Sequence, residues 1–460
     1  MTLTDRSAST TTPAAPPGSS TGSSTRSPGA ERGSDDTASR IWHSWTPVRQ
    51  RTRPAIVRGA GYHVWDDAGR RYLDATSSAL NAVCGYGESR IEAAARTQAA
   101  QLHHFELSRF THRPAAALAE RLTGLLGGPL TRTVLVNSGS EAVEAAVRIA
   151  IDLWPLRGEP RSRVVTLERG YHGSTALCQS LSGLPHLANR YRDPIPVTRV
   201  PLPREGAALR TADGLERAFE LIEQAVAEPH EDGPPAAVVL EPLLNVGGGI
   251  VLPPGLLARL RRLCDRTGAL LILDEVFTGL GRTGAWFASQ HEDVRPDLMV
   301  LSKGLNGGYA PIGAAVAAGH LAEDFAAEPV VGGLRYGHTT SGHAIACAAA
   351  LATLDVIEED GLVARSARHG ADLLDALTAG ATGPLVTDVR GRGLVVTVEM
   401  ADADLAARLV QAATARRLLL RQQGRAVMAV PPLTIDETGV REIAESVAGA
   451  LDDVRTGGRP

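Results

Sequence analysis

Lys303 is the only lysine among the 47 lysine and arginine residues of this 460-residue chain. Either cation serves on a solvated face, but a guanidinium stays protonated and cannot form a Schiff base. A buried lysine shifts its pKa readily and can do so. Lys303 follows the apolar run LMVLS and precedes a glycine-rich stretch, in VLSKGLNGGYAPIGA. Asp274 closes the run LLILD, four apolar residues deep, where a carboxylate is costly unless it meets a cation or a hydrogen-bond donor. A pyridinium nitrogen would be a fitting partner. Further upstream, Ser138, Gly139 and Ser140 of NSGSEA stand at the entry to the helix-like EAVEAAVRIAIDLW. Free N–H groups and hydroxyls at a helix start make a phosphate cradle. Taken alone, Ser140 reads better as a plain helix cap, with Glu144 completing the first turn. Amine, buried acid and cradle together match the aldehyde, ring nitrogen and phosphate of pyridoxal 5′-phosphate (PLP).

These residues need a frame that brings their positions together. TVLVNS (133–138), RVVTLE (163–168), AAVVLEP (236–242), LLILDE (270–275) and LMVLSK (298–303) have the pattern of buried parallel strands, alternating with amphipathic helices such as PGLLARLRRLCDRTG (254–268). The alternation predicts an α/β fold with a doubly wound, largely parallel sheet over roughly 95–335. In such sheets ligands bind beyond the carboxyl ends of the strands. Asn137–Ser138, Glu241, Asp274–Glu275 and Lys303 would therefore converge on one crevice. Within 55–75, VRGAGYHVWDDAGRRYLDA carries a hairpin signal turning at Asp67, Ala68 and Gly69. Residues 345–455 read as alanine-rich helices with a strand pair near VRGRGLVVTVEM. The expected division is a disordered tail at 1–40, a large cofactor-binding domain at 95–335, and a smaller α+β domain built from 41–94 and 336–460.

Composition excludes little but excludes it cleanly. With 43% apolar and 21% charged residues and a net charge of −4, nothing points to nucleic acid as a partner. No run is long and apolar enough to span a bilayer. The four cysteines are far apart and lack C-x-x-C spacing, as expected of reduced thiols in a cytoplasmic protein. The Ser-, Thr-, Pro- and Gly-rich tail lacks the apolar core of a secretory signal.

In order along the chain, NSGSEA, YHGST, LLILDEVFTGLGRTG, LSKGLNGGYAPIGA and YGHTTSGHAIACAAA resemble the class III PLP-dependent aminotransferases, over nearly the whole chain after the tail. The resemblance implies the fold-type I architecture, with a mostly parallel seven-stranded sheet, and a homodimer with shared active sites. It implies that Lys303 is the Schiff-base lysine and that Asp274 pairs with the pyridine nitrogen. Ser138, Gly139 and Ser140 would hold the phosphate, and Tyr171 and Val276 would cover the two faces of the ring. Thr339 would reach the phosphate of the neighbouring subunit. The implied reaction is ping-pong transfer of an amino group from an amino acid or amine to an aldehyde, ketone or 2-oxo acid, through pyridoxamine phosphate.

Substrate class follows from departures inside the resemblance. Arg421, in LLLRQQGRAVMAVPPLTI, resembles the arginine that binds a substrate carboxylate and swings aside for amines lacking one, with Arg425 as a second candidate. Ornithine and γ-aminobutyrate aminotransferases carry a glutamate in EPIQGE that neutralises this arginine; Val246 stands there in EPLLNVGGG. IWHSWTP and FTHRPA resemble diaminopelargonate aminotransferase, which has a tryptophan pair where Ala79 and Leu80 stand here, and YHGD where this chain has YHGS. SKGLNGGYAPIGA is more similar to ω-amine:pyruvate transaminases. Trp45, Leu80, Tyr171 and Arg421 are the expected pocket residues. Natural-product or peptide tailoring is an alternative role. Decarboxylase, racemase and aminomutase relatives share Lys303 and Asp274.

Overall fold

A computed structural model describes residues 41–46, 54–188, 190, 192–202, 206–231 and 233–457. The expected tail at 1–40 lies outside them. Chain contacts separate residues 1–54 from residues 55–460, and the second unit contains every element below. Seven strands form its main sheet: β1 (Leu130–Val136), β2 (Val164–Leu167), β3 (Val197–Val200), β4 (Ala237–Leu240), β5 (Leu270–Asp274), β6 (Leu298–Leu301) and β7 (Gly313–Ala318). Their order is β1–β7–β6–β5–β4–β2–β3. β4 through β7 are buried along their whole length, as strands covered on both faces must be. Only β7 runs antiparallel to its neighbours. Its sequence, GAAVAA, and that of β3, VTRV, carry too weak an apolar signal to stand out before the sheet is seen.

Period-two alternation decides which helix covers which face. Leu270 and Ile272 of β5, with Leu298 and Val300 of β6, pack under α1 (Gly139–Leu156). Ala142, Ala145, Ala146 and Ala150 let α1 approach closely. Leu271 and Leu273 face the other way, against Leu256, Leu257, Leu260 and Leu263 of α2 (Leu256–Thr267). β4, β5 and β6 are consecutive neighbours, in the register Ile272 beside both Val239 and Leu298. The residues that leave their carboxyl ends, Glu241, Asp274 and Lys303, therefore emerge side by side on adjacent strands, whose axes lie about 4.8 Å apart.

The N- and C-terminal flanks share a second sheet. Strands 56–60, 63–66 and 71–74 are antiparallel, with the expected hairpin turn, and 418–419 runs parallel to 71–74. Strands 386–391, 396–400, 426–429 and 421–423 make an antiparallel sheet. All four cysteines are buried free thiols. No described helix is long and apolar enough to cross a membrane.

Between the hairpin and the main sheet lies a turn of the wrong hand. Ser77, Ser78, Ala79 and Leu80 have φ of 47°, 48°, 60° and 74°, with no glycine among them. Each such residue costs about 1–2 kcal/mol. The buried Asp74 carboxylate holds the turn: it accepts from Thr76 N (2.8 Å), Thr76 Oγ1 (2.6 Å), Ser78 N (2.8 Å) and Tyr86 OH (2.6 Å). Ser77 Oγ donates to Val430 O at 2.6 Å and accepts from the buried Arg282 at 3.3 Å. Ala79 is solvent-exposed, so nothing offsets its strain locally. Ala79→Gly should raise the thermal unfolding midpoint by relieving roughly 0.5–1 kcal/mol net of glycine's entropy. Asp74→Ala should lower stability by about 3 kcal/mol or more through the orphaned donors. Differential scanning calorimetry of both variants checks the pair.

Candidate active site

The backbone breaks its regularity where β6 ends. Ser302 Oγ donates to Ile312 O at 2.7 Å, and Lys303, at φ 39°, begins a short 3-10 turn to Asn306. A bulky residue holds this conformation only where its surroundings enforce it. Gly304 permits it, since a Cβ there would meet Val83 Cγ1 at 2.9 Å. Burial pushes the Lys303 ammonium pKa down. Asp274 and Glu241 oppose the shift, while the Arg421 guanidinium adds to it. The net effect is an amine more readily neutral than a solvated lysine.

Asp274 is buried and spoken for on both oxygens. Oδ1 accepts from Val276 N at 3.1 Å, and Oδ2 lies 2.8 Å from His172 Nδ1. The other ring nitrogen of His172 lies 3.2 Å from Thr166 Oγ1, and its backbone N–H donates to Ser182 Oγ at 3.0 Å. Burial alone would lower the imidazole pKa, but the Asp274 hydrogen bond and charge, helped by Glu241, raise it overall. Glu241 is also buried: Oε1 accepts from Tyr171 N at 2.9 Å and Oε2 from Asn245 N at 3.2 Å. Its pKa is pushed up to about 7, chiefly by burial, with the His172 charge opposing and Asp274 reinforcing. Glu275 does not join them. Its carboxylate turns away, accepting from Ala288 N (2.6 Å), Ser289 N (2.9 Å) and Thr278 Oγ1 (3.0 Å).

At the start of α1, Ser138 Oγ accepts from Glu141 N at 3.2 Å and Ser138 O from Ala142 N at 3.0 Å. The N–H groups of Gly139 and Ser140 precede Ala142 N, the N–H that bonds the Ser138 carbonyl, and are oriented to meet an anion. Gly139 abuts Val276: a Cβ would sit 3.0 Å from its Cγ1 and 3.4 Å from Ser302 Cβ. Ser140 Oγ is not the helix cap; it accepts from Ser174 N at 3.1 Å, beside Gly173, whose absent side chain makes room for it. The Tyr171 hydroxyl lies 3.0 Å from Ser174 Oγ, so the tyrosine ring and the helix start are tied to one loop. These residues suit PLP. The bare helix start could take a phosphate, Val276 and Tyr171 could cover the faces of a planar ring, and Asp274, already bonded to Val276 N and His172, could meet the ring nitrogen. Lys303 supplies the amine.

The remaining predicted residues are distributed as follows. Arg421 is half-buried on strand 421–423; burial lowers its pKa, and Tyr171 is near enough to act against that. Among the described residues no carboxylate lies within ion-pair distance of it. Arg425 is committed, bonding Glu399 at 2.6 Å. Leu80 is buried in a small cluster with Leu243, Phe277, Met428 and Val430. Thr339 is exposed, and its carbonyl lies 2.9 Å from His104 Nε2. Trp45, in the unit of residues 1–54, is 66% exposed. Sequence reasoning passed over His172, although it adjoins Tyr171; its partner lies 102 residues away, so no local spacing announces the pair.

Glu241 gives a pH signature. Its folded-state pKa is raised, so the stability it contributes is complete below about pH 4.5 and is lost as pH rises through about 7. Glu241→Gln should flatten the decline in thermal stability over that window; equal slopes in the two proteins would refute the assignment.

A family model, "Aminotransferase class-III", matches residues 47–451. The adenosylmethionine-8-amino-7-oxononanoate aminotransferase of Nitratidesulfovibrio vulgaris is 34% identical over 90% of this chain and 80% of its own length. The omega-aminotransferase of Caulobacter vibrioides is 33% identical over 90% of this chain and 97% of its own. Among solved structures, the omega transaminase from Pseudomonas jessenii in complex with PMP superposes with a TM-score of 0.87. It is 32% identical over 93% of this chain and 100% of that one.

Proposed function

This chain belongs to the class III aminotransferase family and is a PLP-dependent aminotransferase of fold type I, and we propose that Lys303 is the residue that carries its chemistry. One observation supports that reading above the others: the only lysine of the chain leaves the sheet beside a buried acid, with its ammonium pKa pressed down by burial. Bound PLP supplies an aldehyde for amine exchange and an electron sink that acidifies the substrate carbon. Lys303 Nζ then takes a proton from that carbon and returns it on the other side of the transfer, as base and acid in turn. Asp274, held by His172, would pair with the ring nitrogen. The bare start of α1, with Ser138, Gly139 and Ser140, would hold the phosphate. Tyr171 and Val276 would cover the two faces of the ring. Amino transfer runs from an amine or amino acid donor to an oxo acceptor in two half-reactions.

Arg421, desolvated and without a carboxylate partner among the described residues, is the proposed seat of a substrate carboxylate. That supports a 2-oxo acid such as pyruvate on one side of the reaction, with a carboxylate-free amine accepted on the other. Ala79 is exposed, where the resemblance to diaminopelargonate aminotransferase would put a tryptophan. The relative from N. vulgaris favours a second reading, with adenosylmethionine as donor. Phe105, Phe110, Val330 and Val331 are large, exposed apolar residues. They and the exposed Thr339 support a homodimer with shared sites. We retain the division into a cofactor-binding part at 95–335 and a smaller part built from both flanks.

Borohydride reduction in the presence of PLP should label one internal peptide, that containing Lys303, as judged by mass spectrometry. Lys303→Ala should take no internal label and should lose at least about a hundredfold in kcat. A donor screen followed by cofactor absorbance separates the readings: conversion by aliphatic amines supports the first, and conversion by S-adenosylmethionine alone supports the second.

A further inference from the structure

Arg421 and Gln423 sit two residues apart on one strand, so their side chains share a face. Gln422 points the other way, its Nε2 donating to Ala403 O and Gly424 O, both at 3.0 Å, which ties the strand to the start of the helix Ala403–Ala415 and to its own turn. The strand is registered against 426–429, with Arg421 opposite Met428 and Gln423 opposite Ala426. With its amide oxygen turned to the guanidinium, Gln423 accepts from Arg421 Nε and Nη2, each at 2.8 Å. The orientation follows from the donors it faces, since a guanidinium has no acceptor to offer an amide N–H.

The contact is selective in two ways. It occupies the Nε–Nη2 edge and leaves the Nη1–Nη2 edge, which is the other geometry for bidentate carboxylate binding. It also adds no charge. The contrast lies four residues along the same hairpin, where Arg425 is neutralised by Glu399 at 2.6 Å. A glutamate at 423 would neutralise Arg421 in the same manner.

We infer that Gln423 is a positioning residue for substrate carboxylates: it clamps one edge of Arg421 with a neutral acceptor, so that the other edge is presented fully charged to an incoming 2-oxo acid. This rests on the reading of Arg421 as the carboxylate seat. Gln423 touches the guanidinium and acts through it. Removing the amide frees a long side chain to sample other rotamers, and replacing it with a carboxylate keeps the clamp but cancels the charge.

The test compares pyruvate with butanal as acceptors for the amine-loaded holoenzyme, reading the ratio of their kcat/KM values. Gln423→Leu should lower the pyruvate-to-butanal ratio roughly tenfold, mainly through the KM for pyruvate, as expected for weakening one charge-assisted contact. Gln423→Glu should lower it at least as far. Cofactor absorbance of each variant reports that the site is assembled, and a ratio does not register a loss common to both acceptors. A ratio unchanged or raised in Gln423→Leu overturns the inference, because the glutamine would then be idle or a competitor. Arg421→Met separates the two levels. If it lowers the ratio while Gln423→Leu does not, the carboxylate seat stands and the clamp falls. If it leaves the ratio unaltered, or if the unsubstituted enzyme does not prefer pyruvate, both fall.

Discussion

Asp274 places a carboxylate at the dry end of a central strand, and much of the surrounding arrangement answers to it. An isolated carboxylate there would take up a proton. His172, whose pKa is raised by the contact, lies 2.8 Å from it, and its remaining polar atoms are bonded to Thr166 and Ser182. The pair leaves little further charge to be accommodated. Glu241 is pushed toward its neutral form near pH 7, and Lys303 toward its neutral amine. Three strands that end side by side therefore deliver one hydrogen-bonded carboxylate–imidazole pair and two groups biased toward neutrality. A lysine beside two fully ionised carboxylates would have been held as an ammonium.

Backbone strain accumulates around the same place. Lys303 at φ 39° and the four residues 77–80 lie in a region that side chains avoid. Both are stabilised by polar groups at fixed positions: Ser302 on the Ile312 carbonyl, Asp74 on the turn's amides, Arg282 on Ser77 and on the Pro431 carbonyl at 2.6 Å. Arg282 belongs to GLGRTG, in the segment that begins with Asp274. The stretch from 270 to 284 thus contributes a carboxylate to one group of residues and a guanidinium to the support of another. Leu80 then closes a cluster with Phe277 and Val430, which ties the strained turn to that same segment.

Strand ends were legible in the sequence because apolar runs stop abruptly at polar residues, and Glu241, Asp274 and Lys303 do emerge from consecutive strands. β7 was not legible: GAAVAA is bland, and its antiparallel direction is set by neighbours rather than by its own residues. The pairing of 418–419 with 71–74 is a contact of two residues across most of the chain. Glu275, adjacent to Asp274 and equally polar, looked like a crevice residue. Successive side chains point to opposite faces, and the amides of Ala288 and Ser289 claim it. Arg421 and Arg425 resembled each other as sequence. Only the Glu399 carboxylate, brought in from another strand, distinguishes the committed one from the available one.

The chain also contains its own control for the choice of lysine at 303. Arg282 is fully buried, and burial brings its pKa down to about 9, with Asp74 resisting. Even there a guanidinium remains almost wholly protonated at neutral pH. Elsewhere arginine serves well as the sole long cation, from the Arg90 pairing with Asp360 at 2.6 Å to the buried Arg390 on Glu399 at 2.6 Å. Those places want a permanent charge with several donors. The role proposed for the end of β6 needs an amine that can lose its proton and attack a carbonyl. Burial of similar depth cannot give an arginine that property, so replacing lysine with arginine everywhere else leaves position 303 as the one that cannot follow.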